Sequence, residues 1–266
     1  MPDLGKLTTE KRNSATMKLD EMTPYEIISI MNREDHNVIE AVHRALPDIE
    51  TAILWATESL RHGGRIIYIG AGTSGRLGVL DAVECPPTFG VPYDMVVGLI
   101  AGGEEAFVKA KEGAEDNQEL GRDDLKNINL CSKDIVIGLA ASGRTPYVIG
   151  ALRYAKEAGC KSVSIACNPE AKVSQEADCA IELITGPEIL TGSTRLKAGT
   201  AEKMVLNMIS TVSMIGIGKV YENLMVDVRQ TNRKLVTRAE NIVMEAVGCQ
   251  REEAKAALQE AEGEAK

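Results

Sequence analysis

The sequence predicts a doubly wound, three-layer α/β/α domain built on about five parallel strands. Short β-branched, apolar runs alternate with helical segments, and their nearly continuous apolar character is typical of strands covered on both faces. Two of these runs lead directly into glycine-rich loops, as in folds that bind anions at the carboxyl ends of parallel strands. The predicted strands are residues 65–69, 95–100, 134–140, 162–166 and 179–183.

Before the first strand, the chain is predicted to be helical. Thr23 and Pro24 form a helix start, and Asp35 is expected to cap a longer helix over residues 36–61. A glycine pair after His62 ends that helix. The helix carries an apolar stripe at helical spacing, formed by Ile39, Val42, Leu46, Ile49 and Ile53.

Beyond the last strand, residues 198–221 are predicted to form a long helix that is apolar around much of its circumference. Such a helix is buried in its own subunit or against a partner, and a homodimer is the economical explanation. Short Ala- and Glu-rich segments from Thr237 onward predict a separate helical module, with a frayed end at residues 260–266. The predicted organisation is a helical segment at 1–55, the sheet domain at 56–222 and the helical module at 223–266.

The composition excludes several classes of function. Among 266 residues, 30 basic side chains face 39 acidic ones, giving a net charge of −9, so nucleic acid and anionic membrane surfaces are not expected partners. There is no apolar stretch of transmembrane length and no signal-peptide core. Six scattered cysteines without a C-x-x-C pair predict reduced thiols in a cytoplasmic protein. The three histidines lack matching ligands, so we expect no metal and no cofactor.

The two glycine-rich loops bring hydroxyls and bare backbone N–H groups to the starts of helices. The first has a G-x-G-x-x-G spacing over residues 70–75, which also fits dinucleotide folds, but no acidic residue closes the next strand to hold a ribose. The second, over residues 140–146, places two hydroxyls around a glycine ahead of a helix-starting proline. The predicted ligand is a phosphorylated small molecule, held by Thr73, Ser74, Gly75, Ser142, Gly143 and Thr145.

These loops, and especially residues 142–146, resemble the sugar isomerase (SIS) domain, a phosphosugar-binding fold. Residues 186–200 followed by Lys203 are similar to the signature shared by bacterial N-acetylmuramic acid 6-phosphate etherases and the animal glucokinase regulatory protein. Residues 9–13 and 81–89 are similar to the etherases in particular, so the resemblance covers almost the whole chain. It implies a lyase that releases D-lactate from N-acetylmuramic acid 6-phosphate during cell-wall recycling.

The resemblance implies two catalytic carboxylates, Glu84 and Glu115. A lactyl ether β to an acidic C2–H can be eliminated without a metal, given a base for the proton and an acid for the departing oxygen. We expect the helix to break at residues 85–87 and to place Glu84 in an apolar pocket, where a raised pKa keeps it protonated. From the residues alone, an exposed helix-end carboxylate is at least as good an interpretation of Glu84. For Glu115, a solvated acidic face is the better interpretation.

The resemblance also places Glu188, Ser193 and Lys197 in the substrate site, and Lys197 or Arg195 could neutralise the phosphate or the lactyl carboxylate. Two features depart from the family pattern. Ala140 stands where the SIS phosphate loop often carries a serine, so one phosphate contact must come from elsewhere. The carboxyl-terminal module resembles the small ubiquitin-associated-like domain of the etherases, but is expected to be incomplete because the final helix of that domain is missing.

Three other functions remain open on these observations. A non-catalytic phosphosugar sensor would be similar to the glucokinase regulatory protein, which has two SIS domains where this chain has one set of loops. An aldose–ketose isomerase would need a base at C2 but no acid for a leaving group. A transcriptional regulator would need a basic recognition helix, and no such segment precedes residue 60.

Overall fold

The computed structural model describes residues 7–109, 111–227 and 233–261. One parallel sheet forms the centre, with the strand order β2-β1-β3-β4-β5. The predicted fold class and all five predicted strands are confirmed, with bounds that differ by one residue. The strands are β1 (Ile66–Gly70), β2 (Val96–Ile100), β3 (Ile135–Ala140), β4 (Lys161–Ala166) and β5 (Cys179–Glu182).

The strand order creates a switch point between β1 and β3. From β1 the chain crosses to β2 on one side, whereas β3, β4 and β5 follow one another on the other side. Gly70 at the end of β1 pairs with Ile100 of β2 and with Leu139 of β3, so the three strands end at one edge. Loops that leave such a point in opposite directions open a crevice, which is where ligands bind in open parallel sheets.

Helices cover both faces of the sheet and form a module after it. Those before β1 are α1 (Pro24–Glu34), α2 (His36–Arg44) and α3 (Leu46–Arg61); those between strands are α4 (Gly72–Phe89), α5 (Glu105–Val108), α6 (Gln118–Asn127), α7 (Pro146–Glu157) and α8 (Lys172–Glu176); those after β5 are α9 (Lys197–Gly216), α10 (Arg233–Val247) and α11 (Arg251–Glu260). None of the described helices is long and apolar enough to span a bilayer.

Alternation along the strands divides the core into two layers. Ile66 and Tyr68 of β1 face the layer formed with α2, α3, α4 and α9, whereas Ile67 and Ile69 face the layer formed with α6 and α7. Successive strand side chains point to opposite faces, so an apolar residue at every position is needed when both faces are covered. The long helix α9 is buried along one side against α3 and α4.

The predicted helix over residues 36–61 is wrong at one point, because the chain is divided there into α2 and α3 at Ala45. Pro47 has no N–H to donate and its ring clashes with the carbonyl four residues earlier, so it starts a helix instead of continuing one. Asp35 also makes no side-chain capping bond. The helix start at Thr23 is confirmed, with a reciprocal capping box between Thr23 and Glu26.

The predicted helix break at residues 85–87 is also wrong. Helix α4 continues through Pro86 and Pro87 to Phe89, and ends at Gly90 with φ 66°. The buried side chains of Pro86 and Phe89 pack into the core, which favours one more helical turn despite the donors that the prolines lack. The consequence concerns Glu84, which lies inside the helix and not at its end.

After residue 223, α10 and α11 pack together around a small apolar cluster of Val226, Ala239, Ile242 and Leu258. A helical module at this place is as the sequence predicts. Of the segment predicted to fray, residues 262–266 lie outside the described part of the chain.

Candidate active site

The two glycine-rich loops flank the switch-point crevice. Loop 1, residues 70–75, joins β1 to α4, and loop 2, residues 140–146, joins β3 to α7. Because β1 and β3 are neighbours in register, the loops lie side by side at the carboxyl edge of the sheet. The structure therefore brings the predicted loop residues to one place.

Loop 1 is braced from below by a carboxyl group. The Ser74 hydroxyl lies 2.9 Å from each oxygen of Glu202 on α9, and both side chains are buried. Gly75 packs so closely on Gly70 that a Cβ at Gly75 would lie 2.6 Å from the Gly70 carbonyl oxygen. Thr73 is half-buried beside Gly199 in the first turn of α9. The loop is thus fixed to the helix behind it.

Glu202 is a residue that the sequence reasoning missed. Complete burial raises its pKa to about 8, against the opposing effect of the Ser74 hydrogen bond. A carboxyl with that pKa is protonated at neutral pH and carries no charge into the core. The signal was present in the sequence, since Glu202 lies four residues after Ala198 and four before Leu206, on the apolar face of a predicted helix.

Loop 2 differs from loop 1, because its hydroxyls are not bonded to a buried carboxyl group. Ser142 and Thr145 are half-buried, and Thr145 precedes α7 without making a side-chain capping bond. The Ser142 hydroxyl accepts a long hydrogen bond of 3.3 Å from the Arg144 N–H. Gly143 has φ 72° and contacts Ala171 so closely that no side chain fits there. Loop 2 keeps its hydroxyls available at the amino terminus of a helix, where anions bind.

Asn168, after β4, ties loop 2 to the amino-terminal part of the chain. Its amide NH2 lies 3.2 Å from the Ala141 carbonyl oxygen and 3.0 Å from the Thr9 hydroxyl. Its side-chain oxygen accepts a 2.8 Å hydrogen bond from the Thr8 hydroxyl. Asn168 was not predicted, although a polar residue directly after a parallel strand is a candidate for this edge of the sheet.

Glu188 and Lys197 have structural partners. The Glu188 carboxylate is buried and accepts 3.0 Å hydrogen bonds from the backbone N–H groups of Lys197 and Ala198, at the amino terminus of α9. Burial raises the pKa of Glu188 although these bonds oppose it.

The buried Lys197 ammonium lies 2.8 Å from the Glu34 carboxylate of α1. Burial acts to raise the pKa of Glu34, but the bonds to Lys197 and Asn13 outweigh it and lower the pKa. Ser193 is half-buried in the loop before α9.

Glu115 lines a cavity of about 180 Å³ beside loop 1. Its side chain is exposed to that cavity, and its backbone carbonyl accepts a 3.0 Å hydrogen bond from the Tyr147 N–H in the first turn of α7. Glu115 is therefore held between the two loops. The cavity is lined by Ala71, Gly72, Arg76, Ala101, Ala106, Lys111, Glu112, Gly113 and Glu115.

Glu84 lies elsewhere in the subunit. It follows Gly72 by twelve residues on α4, which places it about 18 Å along the helix from loop 1. Its side chain is exposed, so the expectation of an apolar pocket that buries this carboxyl is wrong. The pocket was predicted from a helix break, and the helix does not break. Within one subunit, the structure does not bring Glu84 to Glu115.

Helices α4 and α9, which pack against each other, expose apolar side chains. They are Leu80 and Val83 on α4 and Val212 and Ile215 on α9, each between 42% and 51% exposed. A larger cavity of about 640 Å³ begins at Val83 and follows the edge strand β2. In the described ranges, no cluster of three or more His, Cys, Asp or Glu side chains has an arrangement suited to a metal ion.

Comparison with known proteins identifies the relatives of the chain. The glucokinase regulatory protein N-terminal SIS domain matches residues 48–156, and the SIS domain matches residues 116–212. The N-acetylmuramic acid 6-phosphate etherase of Lactococcus lactis subsp. cremoris (strain MG1363) is 60% identical over 266 residues, covering 100% of this chain and 90% of the relative. That of Serratia proteamaculans (strain 568) is 60% identical over 256 residues, covering 96% and 86%.

A solved structure shares the fold. A phosphoheptose isomerase from Francisella tularensis superposes with a TM-score of 0.56 at 14% sequence identity, covering 73% of this chain and 100% of the isomerase. At that identity the likeness extends to the fold alone.

Proposed function

The chain belongs to the N-acetylmuramic acid 6-phosphate etherases, and we propose that it cleaves the lactyl ether of this substrate at the crevice between loops 1 and 2. The products are N-acetylglucosamine 6-phosphate and D-lactate. The reaction belongs to the recycling of cell-wall amino sugars, in the cytoplasm. The observation that carries the proposal is Glu115, held in a small cavity beside loop 1 and joined through its carbonyl to the start of α7.

Loop 2 binds the 6-phosphate in this proposal. Ser142 and Thr145 present half-buried hydroxyls, Gly143 lets the loop lie against Ala171 without a side chain, and the amino terminus of α7 favours negative charge. In loop 1, Thr73, Ser74 and Gly75 form the wall that the sugar contacts. Because the Ser74 hydroxyl already has Glu202 as its partner, Ser74 serves the site by fixing the loop, with its backbone toward the sugar.

Glu188, Lys197 and Ser193 support the loop that closes the site beside α9. The Glu188 carboxylate holds the first N–H groups of α9, and Lys197 joins that helix to Glu34 on α1. These contacts position the loop over residues 186–196 around the substrate. Ser193, which lies in this loop, is assigned as a residue that contacts the substrate.

The chemistry needs two proton transfers. In the ring-opened sugar, a base removes the C2 proton, the C3–O bond breaks, and the lactyl oxygen takes a proton and leaves. Water then adds its oxygen to C3 of the resulting double bond, and C2 takes a proton. We assign Glu115 to the proton at C2 and to the added water, since it lies in the cavity beside loop 1. Glu84 is the acid for the departing oxygen.

Glu84 can act only from a second copy of the chain, because it lies about 18 Å from loop 1 along its own helix. The exposed apolar side chains of α4 and α9 are the surface that such a copy covers. Leu80 lies four residues before Glu84 on the same face of α4, so packing of this face brings Glu84 into the interface. We therefore propose a homodimer in which each active site combines Glu115 of one subunit with Glu84 of the other.

The first experiment measures lactate release. The purified protein is incubated with N-acetylmuramic acid 6-phosphate, and free D-lactate is measured with and without chelator. We expect release at the same rate in both. Sugar binding without lactate release would instead indicate a phosphosugar sensor.

The second experiment mixes two inactive variants. Glu84→Gln and Glu115→Gln are each expected to lose lactate release, whereas heterodimers contain one site with both carboxylates intact. Random assembly should restore roughly a quarter of the wild-type rate. If both carboxylates act within one subunit, every site in the mixture is damaged and no activity returns.

A further inference from the structure

We propose that Arg76 and Lys111 form an anion subsite for the lactyl carboxylate of the substrate. The inference rests on the proposed function and assigns a specificity role to two cations that neither the loop motifs nor the etherase resemblance singles out. Both line the cavity of about 180 Å³ that also contains Glu115. The carboxylate is the feature that distinguishes this substrate from the amino sugar phosphate that is produced.

Arg76 is oriented by backbone carbonyls. Its Nε–H donates to the Phe107 carbonyl oxygen at 2.7 Å, and its Nη2 donates to the Ala106 carbonyl oxygen at 2.8 Å. A guanidinium has five N–H donors, so three remain for a ligand. Arg76 is half-buried, and no acidic side chain of the described residues forms an ion pair with it. Among the described residues, Arg76 is thus a fixed cation at the cavity with no counter-ion.

Lys111 adds a second positive charge to the same cavity. Its stem packs over Gly102, and within residues 7–109, 111–227 and 233–261 its ammonium has no carboxylate partner. Glu112 and Glu115 line the cavity too. Without the two cations, these carboxylates would repel a substrate that carries its own carboxylate next to the bond that breaks. The cations make the cavity compatible with an anionic lactyl group.

The size of the cavity indicates which part of the substrate it takes. Pockets that hold a whole drug-sized ligand have volumes of about 300–1,000 Å³, so a cavity of about 180 Å³ suits one substituent. The lactyl group is attached at C3, next to the C2 proton assigned to Glu115. The 6-phosphate is at the far end of the sugar and is assigned to loop 2. The Glu115 carbonyl accepts a hydrogen bond from the Tyr147 N–H at the start of α7, which joins the cavity segment to the helix after loop 2.

The test compares ligands with and without the lactyl group. Arg76→Ala and Lys111→Ala are assayed for the KM of N-acetylmuramic acid 6-phosphate and for the inhibition constant of N-acetylglucosamine 6-phosphate, which keeps the phosphate and lacks the carboxylate. We expect each variant to raise KM by about tenfold or more, as for a lost charge-assisted bond, and to change the inhibition constant by no more than about twofold.

Lys109→Ala is the matched control. It removes the same charge from an exposed position two residues away that does not line the cavity, so KM should stay within about twofold of wild type. Arg76→Lys keeps the charge but loses the carbonyl anchors, and an intermediate KM is expected. If Arg76→Ala fails to fold, Lys111→Ala still decides, because its ammonium has no partner in the described part of the chain.

Two results would overturn the assignment. Equal weakening of both ligands would show that the cations contact the phosphate, and an unchanged KM in Lys111→Ala and Arg76→Ala would show that they contact neither anion. The proposed function itself fails on a different observation, namely the absence of lactate release by the wild-type protein.

Discussion

Loop 1 and loop 2 have the same local sequence pattern, but the structure gives their hydroxyl groups different surroundings. Each follows a buried parallel strand, contains glycine and hydroxyl residues, and precedes a helix. In loop 1 the hydroxyl of Ser74 is directed into the protein, onto Glu202. In loop 2 the hydroxyls of Ser142 and Thr145 remain half-buried at the crevice. Loop 1 is hydrogen-bonded to the helix behind it, whereas loop 2 leaves its hydroxyls available to a ligand.

The difference comes from what lies beneath each loop. Helix α9 passes behind loop 1 and contributes a carboxyl at the level of Ser74, whereas Gly143 of loop 2 rests on the small side chain of Ala171. A hydroxyl after a strand is therefore not a ligand contact by position alone. Its role depends on whether the neighbouring element offers a hydrogen-bond partner.

The largest expected effect tests whether the chemistry lies on the loop 1 side. Glu115→Gln keeps the size of the side chain but cannot take a proton, so kcat should fall by about 10²–10⁴-fold. Inhibition by N-acetylglucosamine 6-phosphate should be unchanged, because the phosphate is held by loop 2. A variant with normal kcat would remove Glu115 from the reaction.

The next effect separates the two loops directly. Ser142→Ala and Thr145→Ala should each raise KM by about tenfold, since a hydrogen bond to a charged group contributes on the order of 1.5–3 kcal/mol and a remote phosphate is bound equally in ground and transition states. Ser74→Ala should leave KM nearly unchanged. An equal rise in KM for Ser74→Ala and Ser142→Ala would contradict the proposed difference between the two loops.

The hydrogen bond between Ser74 and Glu202 beneath loop 1 should contribute to the free energy of unfolding. Glu202→Ala leaves a cavity and an unpartnered Ser74 hydroxyl, and should lower the free energy of unfolding by about 1–3 kcal/mol. Glu202→Gln retains a neutral partner of the same size and should cost much less. Urea denaturation of the two variants at pH 7 measures the difference, and equal losses would argue against a hydrogen-bonded brace.

A second measure of the same hydrogen bond is a pH dependence of stability specific to Glu202. Its pKa is raised from 4.5 to about 8 in the folded protein, so unfolding releases a proton between these values. The associated stability is complete below pH 4.5, decreases as the pH rises toward 8, and is constant above that. Unfolding free energies of wild type and Glu202→Gln at pH 6 and pH 9 should therefore differ in slope. Parallel curves would mean that Glu202 is already ionised at pH 6.

The sequence was sufficient for the sheet because its signal is local. Apolar runs such as residues 134–140 are short, β-branched and bounded by turn residues, and they need no knowledge of distant partners. The predicted helix boundaries are wrong at prolines, because Pro47 starts a new helix and Pro86 and Pro87 do not end one. Burial of Phe89 decided the second case, and burial is not visible in a local pattern.

The site was predicted in its parts and not in its arrangement. The loops follow from motif and position, but the partners of Ser74 and Lys197 are 128 and 163 residues away in the sequence. Such pairings depend on how helices cross the sheet. The separation of Glu84 from Glu115 has the same origin, because only the course of α4 shows that the two carboxylates are at different ends of the domain.

The bonds of Asn168 and its neighbours have a consequence for how the chain matures during synthesis. Thr9 and Asn13 leave the ribosome early, yet their partners are Asn168 and the Pro187 carbonyl, 159 and 174 residues later. The amino-terminal segment therefore cannot complete these contacts until Pro187 has been synthesised. Contacts of such long sequence separation form late in folding. A nascent chain halted before residue 187 would contain loops 1 and 2 and Asn168 but would lack the Pro187 carbonyl that Asn13 contacts.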